Sequence, residues 1–513
     1  MNGAEAILRT LLAGGIDTCF ANPGTSEMQF VSALDRVPGM RSVLCLSEIV
    51  VTGCADGYAR MAGKPASTLL HCGPGFANGV ANLHNARRAR SPMVNVVGDH
   101  ATWHRANDPP LASDVEGFAR AASDWVGTIR SVEHAGTDTA GAVQAARSAP
   151  GRIATLIAPA DTAWSEGAEA AAALTPDSPR AVPESRIAEI AHVLRTGEPA
   201  LLVLSGGALT LAGLHAAERI RRATGAELMC PAQVARAARG RNAPRVDRMP
   251  FGIDAAIATL ARFRHIVLCA AKPPAAFFAY PNRPGLLAPP ECGMHVLSKP
   301  DEDSAGALQR IADAFGAPKQ VTIESKNIPA EPGRGAPTSE TIAQTLTARL
   351  PENAIVVDDA VSTGRGFFPL TFDAAPHDWI QVTGGSIGFA LPAATGAALA
   401  SPDRKVVCIQ GDGGAMYSLP ALWTQARERL DVVNVILSNR AYKVLFGEMG
   451  GVGATAGAAA RRLMELNDPH LDWVKLAEGN GVEGVRAETM ERFDEMFVSA
   501  LARRGPMLIE LVI

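Results

Sequence analysis

The 513-residue sequence has no excess of basic charge and no tract rich in Lys or Arg. Its 48 Lys and Arg residues and 52 Asp and Glu residues leave a formal net charge of −4. Proteins that bind nucleic acid usually present a basic face, so this balance predicts that nucleic acid is not a partner. The longest apolar stretch, GGSIGFALPAATGAALA, contains a proline and four glycines. It is typical of a loop and helix within a core, and we expect no membrane span.

Cysteine is present but lacks the spacing of a metal or disulfide site. None of the eight Cys residues forms a CxxC pair, and several lie in apolar runs such as SVLCL and HIVLCA. These runs predict buried, reduced thiols. The N-terminal stretch MNGAEAILRTLLAGG resembles an amphipathic helix and has no basic region or cleavage site typical of a signal peptide. Both observations predict a cytoplasmic protein.

Short β-branched runs alternate with helical patterns along the whole chain. Residues 48–63 and 76–90 are two examples of the helical patterns. This alternation predicts an α/β protein with doubly wound parallel sheets, and a chain of this length exceeds one core. Segments rich in proline and small residues at 165–185 and 326–340 are typical of linkers. We therefore predict three domains, at residues 1–165, 183–326 and 338–513.

Polar side chains follow two apolar runs in the third predicted domain. Asp412 follows VVCIQG, and Asn439 follows VVNVILS 27 residues later. The interval accommodates a helix near 417–429 and a return strand, so both side chains are expected at the same sheet edge. Carboxylate and amide oxygens suit Mg2+ or Ca2+. Three glycines would let the backbone approach an anion at a helix N-terminus: Gly411, Gly413 and Gly414. The pattern favours a metal-bridged phosphate site, with a simple Gly-Asp-Gly turn as the alternative.

The stretch GDGGAMYSLPALWTQARERLDVVNVILSN resembles the fingerprint of thiamine diphosphate-dependent enzymes, which begins with GDG and ends with Asn. The resemblance implies that Asp412 and Asn439 hold Mg2+, with the main-chain carbonyl of Ala441 as a third protein ligand. The family usually continues with Asn-Asn or Asn-Gly, whereas this chain has SNRAY. It also implies that the three domains are the pyrimidine-binding, middle and diphosphate-binding domains of that family.

A second segment, VLCLSEIVVTGCADGYARMAGKPA, resembles the part of the family that carries its activating glutamate. The resemblance implies that Glu48 shares a proton with the aminopyrimidine ring of the cofactor. We expect Ile49, Val50 and Val51 to desolvate this carboxyl group and raise its proton affinity. The alternative is a carboxylate that only stabilises a helix N-terminus.

The stretch VTGGSIGFALPAATGAALA resembles the loop at the central bend of the cofactor. The resemblance implies that Ile387 wedges between the two rings of the cofactor, while neighbouring small residues leave room for close backbone approach. Those cofactor-binding neighbours are Gly385, Ser386 and Gly388. The alternative is that Ile387 is only a buried residue at the start of a helix.

Two further stretches, FANPGTSEMQF and LLHCGPGFANGVANL, resemble benzoylformate decarboxylase and its relatives in the 2-oxoacid decarboxylase and acetolactate synthase group. The resemblance places Thr25 beside the substrate carboxylate and gives His71 the role of proton donor. A purely structural hydrogen-bonding role for His71 is the alternative. In AAFFAYPNRPG, Tyr280 or a neighbour replaces a second active-site histidine of that enzyme. A phenol shuttles protons less readily near neutral pH.

Two other features concern a possible metal site and a second cofactor. His100 and His104 in GDHATWHRAND form an HxxxH pattern on a polar segment, for which we expect a surface or substrate-channel loop and no metal site. The middle domain has no dinucleotide fingerprint, so FAD is not expected.

Taken together, the resemblance implies a thiamine diphosphate- and Mg2+-dependent decarboxylase or carboligase that acts on a 2-oxo acid. It also implies a homo-oligomer, either a dimer or a dimer of dimers, with active sites shared between chains. Two alternatives are an acetolactate synthase-type carboligase and a non-catalytic cofactor-binding subunit.

Overall fold

The computed structural model describes residues 1–323 and 330–513. These residues form three α/β units, each built around a twisted sheet of mainly parallel strands. The predicted fold class is therefore confirmed. The predicted end of the middle domain at residue 326, and the start of the linker that follows it, lie outside the described residues.

The first unit has a six-stranded parallel sheet in the order β2-β1-β3-β4-β6-β5. Its strands are β1 Thr18–Ala21, β2 Arg41–Leu44, β3 Ala66–His71, β4 Met93–Asp99, β5 Trp125–Thr128 and β6 Ile153–Pro159. Its helices are α1 Gly3–Ala13, α2 Met28–Arg36, α3 Glu48–Ala62, α4 Cys72–Ala89, α5 Val115–Ala122, α6 Ala135–Arg147 and α7 Ala160–Trp164. The apolar runs DTCFA, SVLCL, STLLH, MVNVV and RIATLIA coincide with all of these strands except β5. The edge strand β5 is only half-buried, so its apolar pattern is weak.

The second unit has a five-stranded sheet in the order β10-β8-β7-β11-β12. The strands of this segment are β7 Ala200–Leu204, β8 Glu227–Cys230, β9 Ala237–Arg239, β10 Asp247–Arg248, β11 His265–Cys269 and β12 Gly293–Ser298. Its helices are α8 Glu184–Arg195, α9 Leu211–Thr224, α10 Ile253–Leu260 and α11 Ser304–Ala314. The short strand β9 does not join this sheet. It pairs antiparallel with the third sheet, with Arg239 opposite His377.

The third unit has the sheet order β17-β18-β16-β15-β13-β14-β9. Its own strands are β13 Ala354–Asp359, β14 His377–Gln381, β15 Val406–Gly411, β16 Val432–Ser438, β17 Glu483–Ala487 and β18 Met507–Val512. Its helices are α12 Ser339–Arg349, α13 Phe367–Leu370, α14 Ala390–Ala400, α15 Asp412–Ala415, α16 Ala421–Arg427, α17 Lys443–Gly451, α18 Ala458–Arg462, α19 Trp473–Gly479 and α20 Met490–Ala502. The helix expected near 417–429 is shorter than predicted. The chain first forms α15 and a 3-10 turn, and α16 begins after Pro420.

Helices α3 and α14 pack together and join the first and third units. A Cβ atom on Gly57 would lie 2.0 Å from the carbonyl oxygen of Ala393, and one on Gly396 would lie 1.8 Å from that of Cys54. Only glycine allows backbones to approach so closely. Glu48 is the first residue of α3, and the loop that carries Ile387 leads into α14. The contact between the two helices therefore fixes the position of Glu48 relative to the Ile387 loop.

A buried arginine links all three units. Arg60 forms a two-pronged ion pair with Asp56 at 2.8 and 2.7 Å. It also donates to the carbonyl oxygens of Gln381, in the third unit, and Ala235, in the middle segment, at 2.7 and 3.1 Å. A charged side chain is tolerated in this interior because these acceptors satisfy it.

The eight cysteines are free thiols, and all except the half-buried Cys292 are buried, as the apolar runs around them predict. Among the described residues, no helix combines the length and apolar character needed to cross a membrane.

Candidate active site

Asp412 and Asn439 lie side by side at the carboxyl edge of the third sheet. Strands β15 and β16 are parallel neighbours, with Gly411 opposite Leu437, so the residues that follow them emerge together. Asp412 accepts hydrogen bonds from the backbone N–H groups of Gly413 at 2.8 Å and Arg440 at 2.7 Å. Thus the Asp412 carboxylate is tied directly to the turn that carries Asn439.

This corner presents oxygen atoms suited to a hard cation. Asp412 is only 2% exposed, and burial raises the pKa of its carboxyl group to about 6. A bound cation would offset the cost of burying this charge. The Asn439 side-chain oxygen accepts from the Ala441 N–H at 3.0 Å. In the described part of the chain, no turn or loop N–H bonds to the carbonyl oxygen of Ala441. Carboxylate, amide and carbonyl oxygens are the donors that Mg2+ and Ca2+ prefer.

The loop that carries Ile387 lies against the Gly-Asp-Gly-Gly turn. A Cβ atom on Gly414 would lie 3.5 Å from the Cβ atom of Ile387. Gly385 and Gly388 have φ values of +74° and +91°, which side chains other than glycine rarely tolerate. The half-buried Ile387 therefore projects from a tight glycine loop beside the candidate metal corner.

Asn85 and Asp359, which sequence analysis missed, hold this loop from two sides. The Asn85 side chain donates to the Ser386 carbonyl oxygen at 2.8 Å and accepts from the Ser386 N–H at 3.3 Å. One oxygen of Asp359, Oδ2, accepts from the N–H groups of Gly388 and Phe389 at 2.9 and 3.0 Å. Burial raises the pKa of Asp359 to about 7. The acidic pair at the end of the run AIVVDD was the available signal for Asp359.

Glu48, His71 and Thr25 lie along the carboxyl edge of the first sheet. They follow or end the adjacent strands β2, β3 and β1, respectively. Gly75 lies between two of them, because its Cβ atom would be 3.0 Å from Glu48 Oε1 and 3.3 Å from the Cβ of His71. Thr25 is exposed and begins a short 3-10 turn next to Gly24, which lies against the His71 ring.

The Glu48 carboxylate is half-buried in the single chain. Asn78 donates to it at 3.1 Å. Val50 and Val51 are buried in the core between the first and third units, and the partly buried Ile49 packs against that core. Within the described residues, no hydrogen bond joins Glu48 to the Asp412–Asn439 corner.

The ring of His71 is held by a carboxylate and a hydroxyl that sequence analysis did not single out. Its Nδ1 atom lies 3.1 Å from both oxygens of buried Glu27 and 3.0 Å from Ser26 Oγ. Glu27 is itself anchored by the Gly24 N–H at 2.7 Å and by the Ser26 hydroxyl. The side chain of His71 remains 20% exposed. Ser26 and Glu27 are the second and third residues of the turn that begins at Thr25, so the NPGTSE motif itself was the missed signal.

The remaining predicted residues have clear positions. Tyr280 extends from the middle domain and donates its hydroxyl hydrogen to Glu448 of α17. His100 and His104 follow β4, with ring centroids 5.9 Å apart, and His104 Nδ1 lies 3.2 Å from Asn107. Among the described residues, one group of side chains lies close enough together to bind a metal ion. Neither His100 nor His104 belongs to this group.

Comparison with known proteins agrees with this architecture. Residues 1–118 match the family described as thiamine pyrophosphate enzyme, N-terminal TPP binding domain, and residues 367–511 match its C-terminal TPP binding domain. A protein of Mycobacterium tuberculosis, described as "Putative acetolactate synthase large subunit IlvX", is 47% identical over 100% of this chain and 99% of its own length. The benzoylformate decarboxylase of Pseudomonas aeruginosa is 29% identical over 97% of this chain and 96% of its own.

A solved structure gives the same result. The thiamine diphosphate-dependent 4-hydroxybenzoylformate decarboxylase of Rhodococcus jostii RHA1 superposes with a TM-score of 0.85 and 25% identity, covering 99% of this chain and 98% of that one. The chain belongs to the thiamine pyrophosphate-dependent enzymes. Within that class it is an enzyme of the 2-oxo acid decarboxylase and acetolactate synthase type.

Proposed function

We propose that the protein is a non-oxidative decarboxylase and carboligase of a 2-oxo acid, similar to benzoylformate decarboxylase, that uses thiamine diphosphate and Mg2+. The observation that carries the proposal is that Ile387 lies directly against the turn that begins at Asp412. A metal corner and an apolar wedge side by side suit a cofactor that has a charged diphosphate and a bent ring pair. The carboligase alternative shares this chemistry up to the loss of CO2.

Asp412, Asn439 and the Ala441 carbonyl would hold Mg2+, and the metal would bind the diphosphate. The Gly411, Gly413 and Gly414 backbone leaves room for that anion, while Gly385, Ser386 and Ile387 would receive the rings. Thiamine diphosphate supplies an electron sink for the bond that breaks when CO2 leaves. The middle domain has no GxGxxG or other dinucleotide fingerprint in its sequence, so we do not include FAD.

The first sheet supplies the acid and base groups. Glu48 would exchange a proton with the aminopyrimidine, Thr25 would contact the substrate carboxylate, and His71 would donate a proton near the reacting carbon. Glu48 lacks a hydrogen bond to its own chain's metal corner within the described residues. The resemblance to this family supports a homodimer or dimer of dimers in which each site combines two chains. Eight free thiols support a cytoplasmic location.

An acetolactate synthase-type activity is the second candidate. The Tyr280 hydroxyl hydrogen is directed to Glu448, and this bond raises the pKa of Tyr280. A phenol held in this way is a poor proton donor, which would slow aldehyde release and favour attack on a second carbonyl compound. The IlvX relative, described as an acetolactate synthase large subunit, supports the same alternative.

The direct test is CO2 release from a panel of 2-oxo acids, with thiamine diphosphate and Mg2+, followed by product analysis. Aldehyde as the main product supports the decarboxylase, and a 2-hydroxy ketone or acetolactate from pyruvate supports the carboligase. No CO2 release from any acid would contradict both and favour a non-catalytic subunit.

Two variants separate cofactor activation from cofactor binding. We expect Glu48→Gln to lower turnover at least about 100-fold, because it removes the proton-exchanging carboxyl group. It should still bind the cofactor in titration calorimetry. Asp412→Ala should instead lose Mg2+-dependent cofactor binding. Full turnover in the first variant, or normal cofactor affinity in the second, would contradict the assignments.

A further inference from the structure

A segment of the middle domain carries two exposed aromatic side chains beside the candidate active site. Phe277 and Phe278, here called the aromatic wall, are 55% and 57% exposed. Their ring centroids are 5.0 Å apart in an edge-to-face arrangement. Contiguous exposed apolar side chains are a feature of ligand-binding grooves and interaction sites.

The segment has a defined shape. Ala275 and Leu286 form an antiparallel bridge, and the Ala276 N–H donates to the Gly285 carbonyl at 2.9 Å. Hence the wall lies in the tip of a closed hairpin-like loop, between residues 275 and 286.

Tyr280 fastens the tip of this loop to the third unit. Its hydroxyl donates to Glu448, and its ring lies against Gly451, where a Cβ atom would be 2.7 Å from Tyr280 Cε1. Glu448 and Gly451 belong to α17, which begins two residues after the proposed metal ligand Ala441. The loop is thus attached on the side of the cofactor corner.

Phe277 reaches the loop of the predicted wedge. A Cβ atom on Gly385 would lie 2.9 Å from Phe277 Cζ, and Gly385 precedes Ile387 by two residues. Leu445, in the first turn of α17, is another exposed apolar residue of the third unit. Apolar side chains from the middle domain and the third unit therefore converge where the cofactor bend is expected.

We propose that the aromatic wall binds the side chain of the substrate, and that the substrate is a 2-oxo acid with an aromatic or bulky apolar side chain. This inference rests on the proposed function and extends it to the substrate class. Burying such a side chain against two phenyl rings contributes binding free energy that the methyl group of pyruvate cannot supply. Tyr280 and Glu448 position the wall and do not serve as its binding surface.

The test compares kcat/KM for a 2-oxo acid with a phenyl side chain and for pyruvate, measured by CO2 release. In the wild-type enzyme we expect a preference for the phenyl substrate. In Phe277→Ala/Phe278→Ala that preference should fall at least about 10-fold, through the phenyl substrate alone. Leu211→Ala is the matched control, because Leu211 is an exposed apolar residue on another element of the same domain.

The outcomes are distinguishable. CO2 release from both acids with an unchanged preference in the double variant overturns the aromatic wall and leaves the proposed function standing. A changed oligomeric state with unchanged preference also overturns it, since the wall would then contact a second copy of the chain. Absence of CO2 from every acid overturns the proposed function itself, and the wall with it.

Glu448 variants test the positioning role. Glu448→Gln still accepts the Tyr280 hydrogen bond and should keep the phenyl preference, whereas Glu448→Ala should lower it. Equal losses in both variants would show that the carboxylate charge matters and would overturn the positioning role.

Discussion

At the scale of single residues, the orientation of the candidate proton donor His71 depends on a contact with Glu27 that the local sequence does not indicate. They are 44 residues apart, yet Glu27 places both carboxylate oxygens 3.1 Å from His71 Nδ1. Within the described residues, His71 Nε2 has no protein partner. Glu27 thus holds one ring nitrogen and leaves the other for the cleft, as an orienting carboxylate does in other acid–base pairs.

We predict that Glu27→Ala lowers kcat/KM about 10- to 100-fold, because a charge-assisted hydrogen bond that fixes the ring is lost. Ser26→Ala leaves the Glu27 carboxylate in place beside His71 Nδ1 and should have a smaller effect. Steady-state kinetics, with thermal unfolding to check that both variants are folded, measure the difference. Wild-type kcat/KM in folded Glu27→Ala would contradict the orienting role.

The corner formed by Asp412 and Asn439 was the most predictable part of the candidate site. Asp412 and Asn439 each end an apolar run, and the rule that parallel strands bring their carboxyl ends to one edge was enough to place them together. Glu48 and Ile387 rested on family resemblance. Glu27 lies inside the quoted NPGTSE motif, but its contact with His71, like that of Asn85 with Ser386, joins residues distant in sequence. Asn85 and Ser386, for example, are 301 residues apart.

At the scale of elements, the loop between β14 and α14 is shaped by its neighbours more than by its own sequence. Asn85 binds its first half and Asp359 binds its second half and the start of α14. The glycines allow the backbone to adopt this turn, and the hydrogen bonds with Asn85 and Asp359 stabilise that one conformation. Strand β9 is a similar case, since three residues of the middle segment pair with β14 through contacts that no local pattern encodes.

Asp359 makes the stability of this element depend on pH. Its pKa in the folded protein is about 7, against an ordinary value of 3.8, because burial disfavours the charged form. The folded state therefore holds a proton that the unfolded state releases near pH 4. The stabilisation from this group is complete below pH 4 and is lost as pH rises through 7.

We predict that the unfolding free energy of the wild type, relative to Asp359→Asn, falls by on the order of 4 kcal/mol between pH 4 and pH 8. Unfolding of the metal-free and cofactor-free proteins at several pH values measures this difference. The exposed Asp373→Asn substitution is the control and should give a constant difference. A pH-independent difference for Asp359→Asn would contradict the raised pKa.

At the scale of the whole molecule, the three units are joined by α3–α14 packing and by Arg60, which reaches all of them. The number of units and their parallel sheets followed from strand and helix periodicity. Their arrangement did not, because Gly57, Gly396 and Arg60 carry no signal of their distant partners. Glu48 begins α3 and Asp412 begins α15. In the described residues of one chain, no hydrogen bond joins these two helices.

If each active site combines Glu48 of one chain with Asp412 of another, two inactive variants should complement each other. In a mixed dimer of Glu48→Gln and Asp412→Ala chains, one of the two sites has both residues intact. Random exchange of equal amounts makes half of the dimers mixed, so activity should recover to about a quarter of the wild-type value. Exchange through mild denaturation, followed by the CO2 assay, measures it.

The matched control mixes wild-type chains with the double variant Glu48→Gln/Asp412→Ala. Shared sites leave every mixed dimer inactive, so exchange should lower activity to about half of its value before mixing. Sites contained within one chain predict the reverse pattern, with no recovery in the first mixture and no loss in the second. The two mixtures contain the same substitutions in equal numbers, so only the arrangement of Glu48 and Asp412 between chains separates their outcomes.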